Sequence, residues 1–292
     1  MTNKIAVIGG TGLIGNPVVK HLAQNGFNIT CLVRNKASAQ QKLTKEVALI
    51  TGDLRSERDV AQLLAGQDAL YLNLNLAQHE KKNDFHTESD GMKVIISAAQ
   101  KSNIKRIALI SSLVMNYQGM NGFNWWVFDV KREAVRLIKQ SGIPYTIFYP
   151  STFMENFEGN YRMGNNMLVA GRSEHKLYFI AADDYARQVA SSFHILTTEN
   201  KEYAVQGPQA FTIDEAVRAY VKAYNKSKLR IRTAPLGMLK FFGLFNQKMN
   251  YGWHIIEALN KYPETFVAQR TWDELGKPTI TIQDFARREM EN

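Results

Sequence analysis

A short apolar strand running directly into three evenly spaced glycines constrains this chain more than any other stretch. Residues 5–8, Ile-Ala-Val-Ile, are apolar and mostly β-branched with no polar alternation, the pattern of a strand buried on both faces. Gly9, Gly12 and Gly15 follow at once, and Val18, Val19 and Leu22 then fall on one helical face. Pro17 stands in the first turn, where a missing N–H costs little. Each glycine has a task. Gly9 permits a tight turn out of the strand. Gly12 removes a Cβ so that a pyrophosphate can approach backbone N–H groups at the helix N-terminus. Gly15 lets the helix pack close to the strand. Asn25-Gly26 ends the helix and residues 27–33 form the next strand. Three glycines alone would also suit a turn that binds nothing. Strand, glycines, helix and second strand in this order are what a dinucleotide-binding unit requires.

The alternation continues. Strands are expected at 47–50, 69–74, 106–111 and 145–149, the last ending at Pro150. Helices are marked by Val60, Leu63 and Leu64, by Val94, Ile95, Ala98 and Ala99, and by Val130, Ala134, Leu137 and Ile138. A polar, charged loop occupies 78–90. This rhythm predicts an α/β fold, a Rossmann doubly wound parallel sheet with the ligand along the carboxyl edge of the strands. After Pro150 the rhythm breaks. A short strand is expected at 177–180, a helix capped by Asp183-Asp184, a last sheet strand at 202–206, and a capping box at Thr212-Ile-Asp-Glu215. The expected organisation is a core of residues 1–152, joined by about 177–208. Residues 153–176 and 209–292 would form a smaller substrate-side lobe.

The chain carries 36 Lys+Arg against 27 Asp+Glu, a net charge of +9 that favours an anionic ligand. The bases are scattered and no nucleic-acid-binding signature accompanies them, so no nucleic-acid partner is expected. The densest cluster, Lys226-Ser-Lys-Leu-Arg-Ile-Arg232, reads as a solvated face of a half-exposed strand. Cys31, the only cysteine, lies in an apolar strand and reads as a buried thiol. No apolar run reaches the ~20 residues a bilayer span needs, and the start leaves no room for a cleavable signal, so a cytoplasmic location is expected. The greasiest stretch, 234–245, reads as pocket wall or core rather than as a membrane-surface helix.

The second strand ends Leu32-Val-Arg34-Asn-Lys36, with no acid in reach of a ribose hydroxyl. Arg34 can grip a 2′-phosphate through two parallel hydrogen bonds and Lys36 adds charge, which favours NADP(H) over NAD(H). Asp53, after the third strand, is placed either to accept from an adenine amino group or to cap the next helix.

These residues, with Gly52-Asp-Leu54, Ile110-Ser-Ser112, the stretch from Lys131 through Ser141-Gly-Ile-Pro-Tyr-Thr-Ile-Phe-Tyr-Pro150, and Phe153-Met-Glu-Asn156, resemble the short-chain dehydrogenase/reductase superfamily. Tyr178-Phe-Ile-Ala-Ala-Asp-Asp184 and Thr271-Trp-Asp-Glu-Leu-Gly276 extend the similarity to its atypical, NmrA-like branch of NAD(P)H-binding proteins. On this resemblance the cofactor contacts come from Gly9, Thr11, Gly12, Leu13, Ile14, Gly15, Arg34, Lys36, Asp53 and Leu54. They continue through Asn73, Leu74, Ser111, Lys131, Pro150, Thr152 and Phe153.

In ordinary members a Tyr four residues before the Lys corresponding to Lys131 gives a proton to the substrate carbonyl, and the Lys holds the nicotinamide ribose and lowers the Tyr pKa. Here that position is Val127, which can neither give nor take a proton. Lys131, Ser112 as a carbonyl donor, and Tyr149 remain as catalytic candidates, with Tyr117 and Tyr161 as further hydroxyls near the same edge. Two functions follow from the resemblance. One is NADPH-dependent hydride transfer to a quinone-like or other electron-poor small molecule, which tolerates loss of the Tyr. The other is a non-catalytic NADP(H) or redox sensor acting through a regulatory protein partner. The six His show no ligand spacing and no metal is expected.

Overall fold

The computed structural model describes residues 3–195, 198–225 and 227–288. In order, the elements are β1 (Lys4–Ile8), α1 (Gly15–Gln24), β2 (Asn28–Val33), α2 (Lys36–Gln40), β3 (Ala48–Thr51), α3 (Glu57–Leu64) and β4 (Ala69–Leu72). There follow α4 (Asp90–Lys101), β5 (Arg106–Ile110), α5 (Trp126–Gln140), β6 (Tyr145–Pro150), β7 (Arg162–Met163), β8 (Asn166–Ala170), α6 (Ala182–His194) and β9 (Lys201–Val205). The chain closes with α7 (Ile213–Ala223), β10 (Arg230–Ala234), α8 (Leu236–Gly243), α9 (Gln247–Lys261), α10 (Gln269–Leu275) and α11 (Ile282–Arg288).

Seven of the described strands form one parallel sheet in the order β3-β2-β1-β4-β5-β6-β9, the expected doubly wound arrangement. β1 explains why. Its side chains alternate between two cores: Ile5 and Val7 meet Val18, Val19 and Leu22 of α1, whereas Ala6 and Ile8 join Val60, Leu63, Met92 and Ile95 beneath α3 and α4. Only a strand apolar on both faces can sit there. The strand order reverses between β2 and β4 on either side of β1, and that switch point opens a crevice at the carboxyl edge. A second sheet, β10-β8-β7, lies outside the parallel one, and Lys228, Arg230 and Arg232 are exposed there, as the alternation predicts. Lys226 lies outside the described residues.

Asp68 fixes the amino edge of the sheet. Its carboxylate accepts from the backbone N–H groups of Asn3 and Lys4 at 3.0 and 3.1 Å and from Lys105 Nζ at 2.8 Å. Lys105 and those amides lower its pKa to about 2. The folded value lies below the unfolded one (~3.9), so this stabilisation is present above the unfolded pKa and is lost as pH falls toward 2. Asp68→Asn is expected to flatten the acid side of the stability–pH curve between about pH 4 and 2, read by urea unfolding at each pH.

Several local expectations are corrected. Asp183 and Asp184 do not cap α6; they occupy its first turn and Ala181 is the N-cap. Asp184 is instead a buried clamp, accepting from the N–H groups of Thr279 and Ile280 and from Arg187. Residues 177–180 do not form a strand of either sheet; they make isolated bridges, Phe153 with Ile180 and Leu177 with Phe211. Stretch 234–245 is neither pocket wall nor core, because Phe241, Phe242, Leu244 and Phe245 stand in solvent. The Thr212–Glu215 capping box is present in both directions. Cys31 is fully buried, which pushes its thiol up to about 12.

Candidate functional site

The site grows from the β1–α1 turn. Gly9 adopts φ +86°, and a Cβ there would lie 2.0 Å from the Asn73 carbonyl oxygen. A Cβ on Gly15 would lie 2.1 Å from the Gly9 carbonyl oxygen, so this glycine does permit close packing of turn and helix. Gly12 differs from both: its nearest neighbours would be 3.4 and 3.8 Å away, so the space before it is open. The N-cap of α1 is Ile14, with no side-chain cap and no acid in the first turn. The leading N–H groups of α1 therefore lack the side-chain acceptor that most helices provide, which suits an anionic ligand. These features fit a dinucleotide pyrophosphate.

A cleft of about 550 Å³ opens over this turn at the β1/β4 switch point. Of the expected residues, Gly9, Thr11, Gly12, Leu13, Ile14, Arg34, Asn73, Leu74, Ser111, Ser112, Lys131, Pro150, Thr152 and Phe153 all line it. Arg34 is exposed and makes no ion pair among the described residues.

Five expected residues are not in its lining. Gly15 is buried behind the turn. Lys36 edges a separate surface depression with Thr44 and Lys45. Asp53 folds its carboxylate back to accept from Arg55 N–H at 2.9 Å, and Ser56, not Asp53, caps α3 by accepting from Asp59 N–H. Leu54 covers Gly91, where a Cβ would meet it at 2.3 Å. Tyr149 turns away from the cleft and donates to Glu202 Oε2 at 2.8 Å, and burial with that carboxylate raises its pKa well above the usual phenol value. Tyr117 and Tyr161 are buried in the core and do not line the cleft either.

Lys131 projects from α5 and donates to Glu88 Oε1 at 2.8 Å, with side-chain exposures of 14% and 2%. Burial alone would lower the Lys131 pKa; the Glu88 carboxylate, with a contribution from Tyr251, outweighs it and holds the ammonium above the usual lysine value. Val127, one turn before it, is buried in the core. Glu88 lies in the loop expected to be polar and charged, and is itself buried. His86 anchors that loop: it is buried, its Nδ1 lies 2.8 Å from Glu80 Oε2, its Nε2 donates to the Lys82 carbonyl, and its ring stacks on Trp126 at 4.8 Å.

Residues beyond 153 close the cleft. Asn156, Asn160, Ile255, Leu259 and Glu264 line it, none of them expected from the sequence. Ile255 and Leu259 are four apart on one face of α9, a spacing that is readable but does not say which neighbour the face meets. Glu264 accepts from Ser151 Oγ at 2.9 Å and from Gln206 Nε2 at 2.7 Å; burial raises its carboxyl pKa despite these donors. Among the described residues no group of His, Cys, Asp or Glu is arranged to hold a metal ion, and no helix is long and apolar enough to cross a membrane.

A glycine-cradled cleft at the switch point of a doubly wound sheet defines a dinucleotide-binding Rossmann protein. The family pattern described as NAD(P)H-binding matches residues 9–195, and the chain belongs to that family. Among proteins of known role, a photosystem II assembly factor of Trieres chinensis is 25% identical over 254 residues, covering 84% of this chain and 78% of that protein. An NAD(P)H azoreductase of Xenophilus azovorans is 26% identical over 226 residues, covering 76% and 74%. Among solved structures, an NADPH-dependent quinone oxidoreductase of Escherichia coli complexed with NADPH aligns with a TM-score of 0.73 at 21% identity, over 98% of this chain and 99% of that one. A triphenylmethane reductase of a Citrobacter species aligns with a TM-score of 0.76 at 17% identity, over 99% and 100%. The likeness to solved structures shows the fold, a Rossmann-like α/β fold.

Proposed function

We propose that the protein binds NADPH in preference to NADH and reduces a small, electron-poor, quinone-like molecule. The observation that carries this reading is the composition of one cleft. It joins the open Gly12 turn and an unpaired Arg34 to a buried, charged Lys131, with Val127 in place of the usual proton donor.

Arg34 would hold the 2′-phosphate, the N-terminus of α1 the pyrophosphate, and Lys131 the nicotinamide-ribose hydroxyls. When bound, the cofactor supplies a hydride. The chain's own part is to place the acceptor, exclude water and supply a proton. Ile255 and Leu259 give the acceptor an apolar wall, and Phe153 is fixed against Tyr185 with ring centroids 5.5 Å apart. Ser112 and Thr152 offer hydroxyls, and Ser151 is backed by the Glu264 carboxyl. A quinone-like acceptor needs little more, because its oxygen becomes basic only after the hydride arrives. We assign the residues beyond 153 to the substrate side of the cleft.

The test is NADPH oxidation by the purified protein against quinones and aldehydes, with NADPH and NADH binding measured in parallel. Quinone turnover without aldehyde turnover is expected. Arg34→Ala should weaken NADPH binding by ~10-fold or more, the scale of a charge-assisted hydrogen-bonded pair, and change NADH little. Equal loss for both nucleotides would sink the 2′-phosphate assignment. A second reading, a redox-responsive NADPH-binding protein acting through a protein partner, is favoured by one observation: none of Tyr117, Tyr149 and Tyr161 lines the cleft. Tight NADPH binding without turnover on either panel would select it.

A further inference from the structure

α8 and the turn after it present apolar side chains to solvent. Phe241 is 59% exposed, Leu244 75% and Phe245 79%, with Met238, Phe242 and Met249 also exposed. This is a contiguous run, not the scatter of single apolar residues that ordinary surfaces carry. The helix is nevertheless held in place. Gly243 packs so close to α9 that a Cβ would meet Trp253 at 2.7 Å, and Lys240 pairs with Glu257 at 2.7 Å while lying over the Trp253 ring. The phenylalanines are therefore displayed on a fixed support.

The charge in the stretch of chain that carries them is one-sided. From residue 216 to residue 256 the sequence holds eight Lys and Arg and no Asp or Glu. Lys228, Arg230, Arg232 and Lys248 are exposed, and none forms an ion pair among the described residues.

We propose that this face docks the protein on an anionic lipid bilayer, with Phe241, Leu244 and Phe245 entering the headgroup–acyl boundary and the exposed cations of the flanking segments meeting lipid phosphates. Protruding aromatic side chains on a stretch of chain that carries only Lys and Arg as charged residues match both layers of such a surface. A nucleic acid would satisfy the cations but offer the phenylalanines no apolar volume. A second copy of the chain would satisfy the phenylalanines but bring two cation-rich faces together. The inference rests on the surface alone and stands apart from the chemistry assigned to the cleft. α9 connects the two, since it supports α8 and also carries Ile255 and Leu259 into the cleft wall.

The experiment is co-sedimentation of the full chain with vesicles of phosphatidylcholine alone or mixed with phosphatidylglycerol, at low and high salt. Binding to the mixed vesicles, weakened by salt, is expected. The double variant Phe241→Ser/Phe245→Ser should bind at least ~10-fold more weakly with an unchanged melting temperature, since both side chains already stand in water. Arg230→Gln and Lys248→Gln should each reduce binding by up to about fivefold. Equal binding to neutral and anionic vesicles, or no binding to either, would overturn the proposal. So would a concentration-dependent dimer dissociated by the same double variant, which would assign the face to a second copy.

Discussion

Gly12→Ala is expected to leave the protein folded with its stability changed by less than about 1 kcal/mol, while weakening NADPH binding roughly 5–150-fold. An added Cβ meets nothing nearer than 3.4 Å in the protein, so the folded state accepts it. The same Cβ stands where a pyrophosphate would approach the N–H groups leading into α1, and an overpacked contact of this kind costs roughly 1–3 kcal/mol. Gly9→Ala should behave differently. It would place a methyl 2.0 Å from the Asn73 carbonyl oxygen at φ +86°, adding backbone strain to a direct clash. A stability loss of roughly 2–6 kcal/mol is expected there, with binding lost as a consequence. Thermal unfolding and nucleotide titration on the two variants separate a ligand-facing glycine from a fold-forming one. If Gly12→Ala binds NADPH as the wild type does, the open space before this glycine is not the phosphate site.

The two glycines were legible in the sequence because their task is local. A strand, a turn without Cβ atoms and a helix N-terminus follow one another within fifteen residues, and no distant contact decides the outcome. The same holds for the alternation of strands and helices that makes a parallel sheet, and for Arg34 just after β2. What was not legible depended on long-range packing. The 78–90 loop has the composition of a solvated connection, yet His86 and Glu88 are buried in it because Trp126 and Lys131 arrive from α5. Asp53 and Ser56 are both good capping residues three apart, and only the backbone path shows that Ser56 takes the role. Asp184 reads as a helix cap, and its real partners, Thr279 and Ile280, lie almost a hundred residues on. The apolar composition of α8 reads as interior; the sequence cannot say that none of the described elements covers its phenylalanines.

Glu88→Leu is expected to destabilise the protein by about 3–5 kcal/mol, because it strands the Lys131 ammonium in a site with 14% side-chain exposure. The cost is that of an unpaired buried charge, and it exceeds what the ion pair contributes to stability when both partners are present. The double variant Glu88→Leu/Lys131→Met should therefore recover most of the loss, since two apolar side chains of similar volume replace the pair. Stability and binding then part company. The double variant lacks the ammonium assigned to the ribose hydroxyls, so its NADPH affinity should stay low although its unfolding midpoint returns. In the single variant the remaining lysine loses the carboxylate that holds its pKa above the ordinary value against burial, and it should titrate at lower pH. A fall in NADPH affinity at a pH where the wild type binds unchanged would report that titration. Urea unfolding of the three proteins, with nucleotide titration across pH, measures both effects. Recovery of stability together with recovery of binding in the double variant would remove Lys131 from the cofactor site.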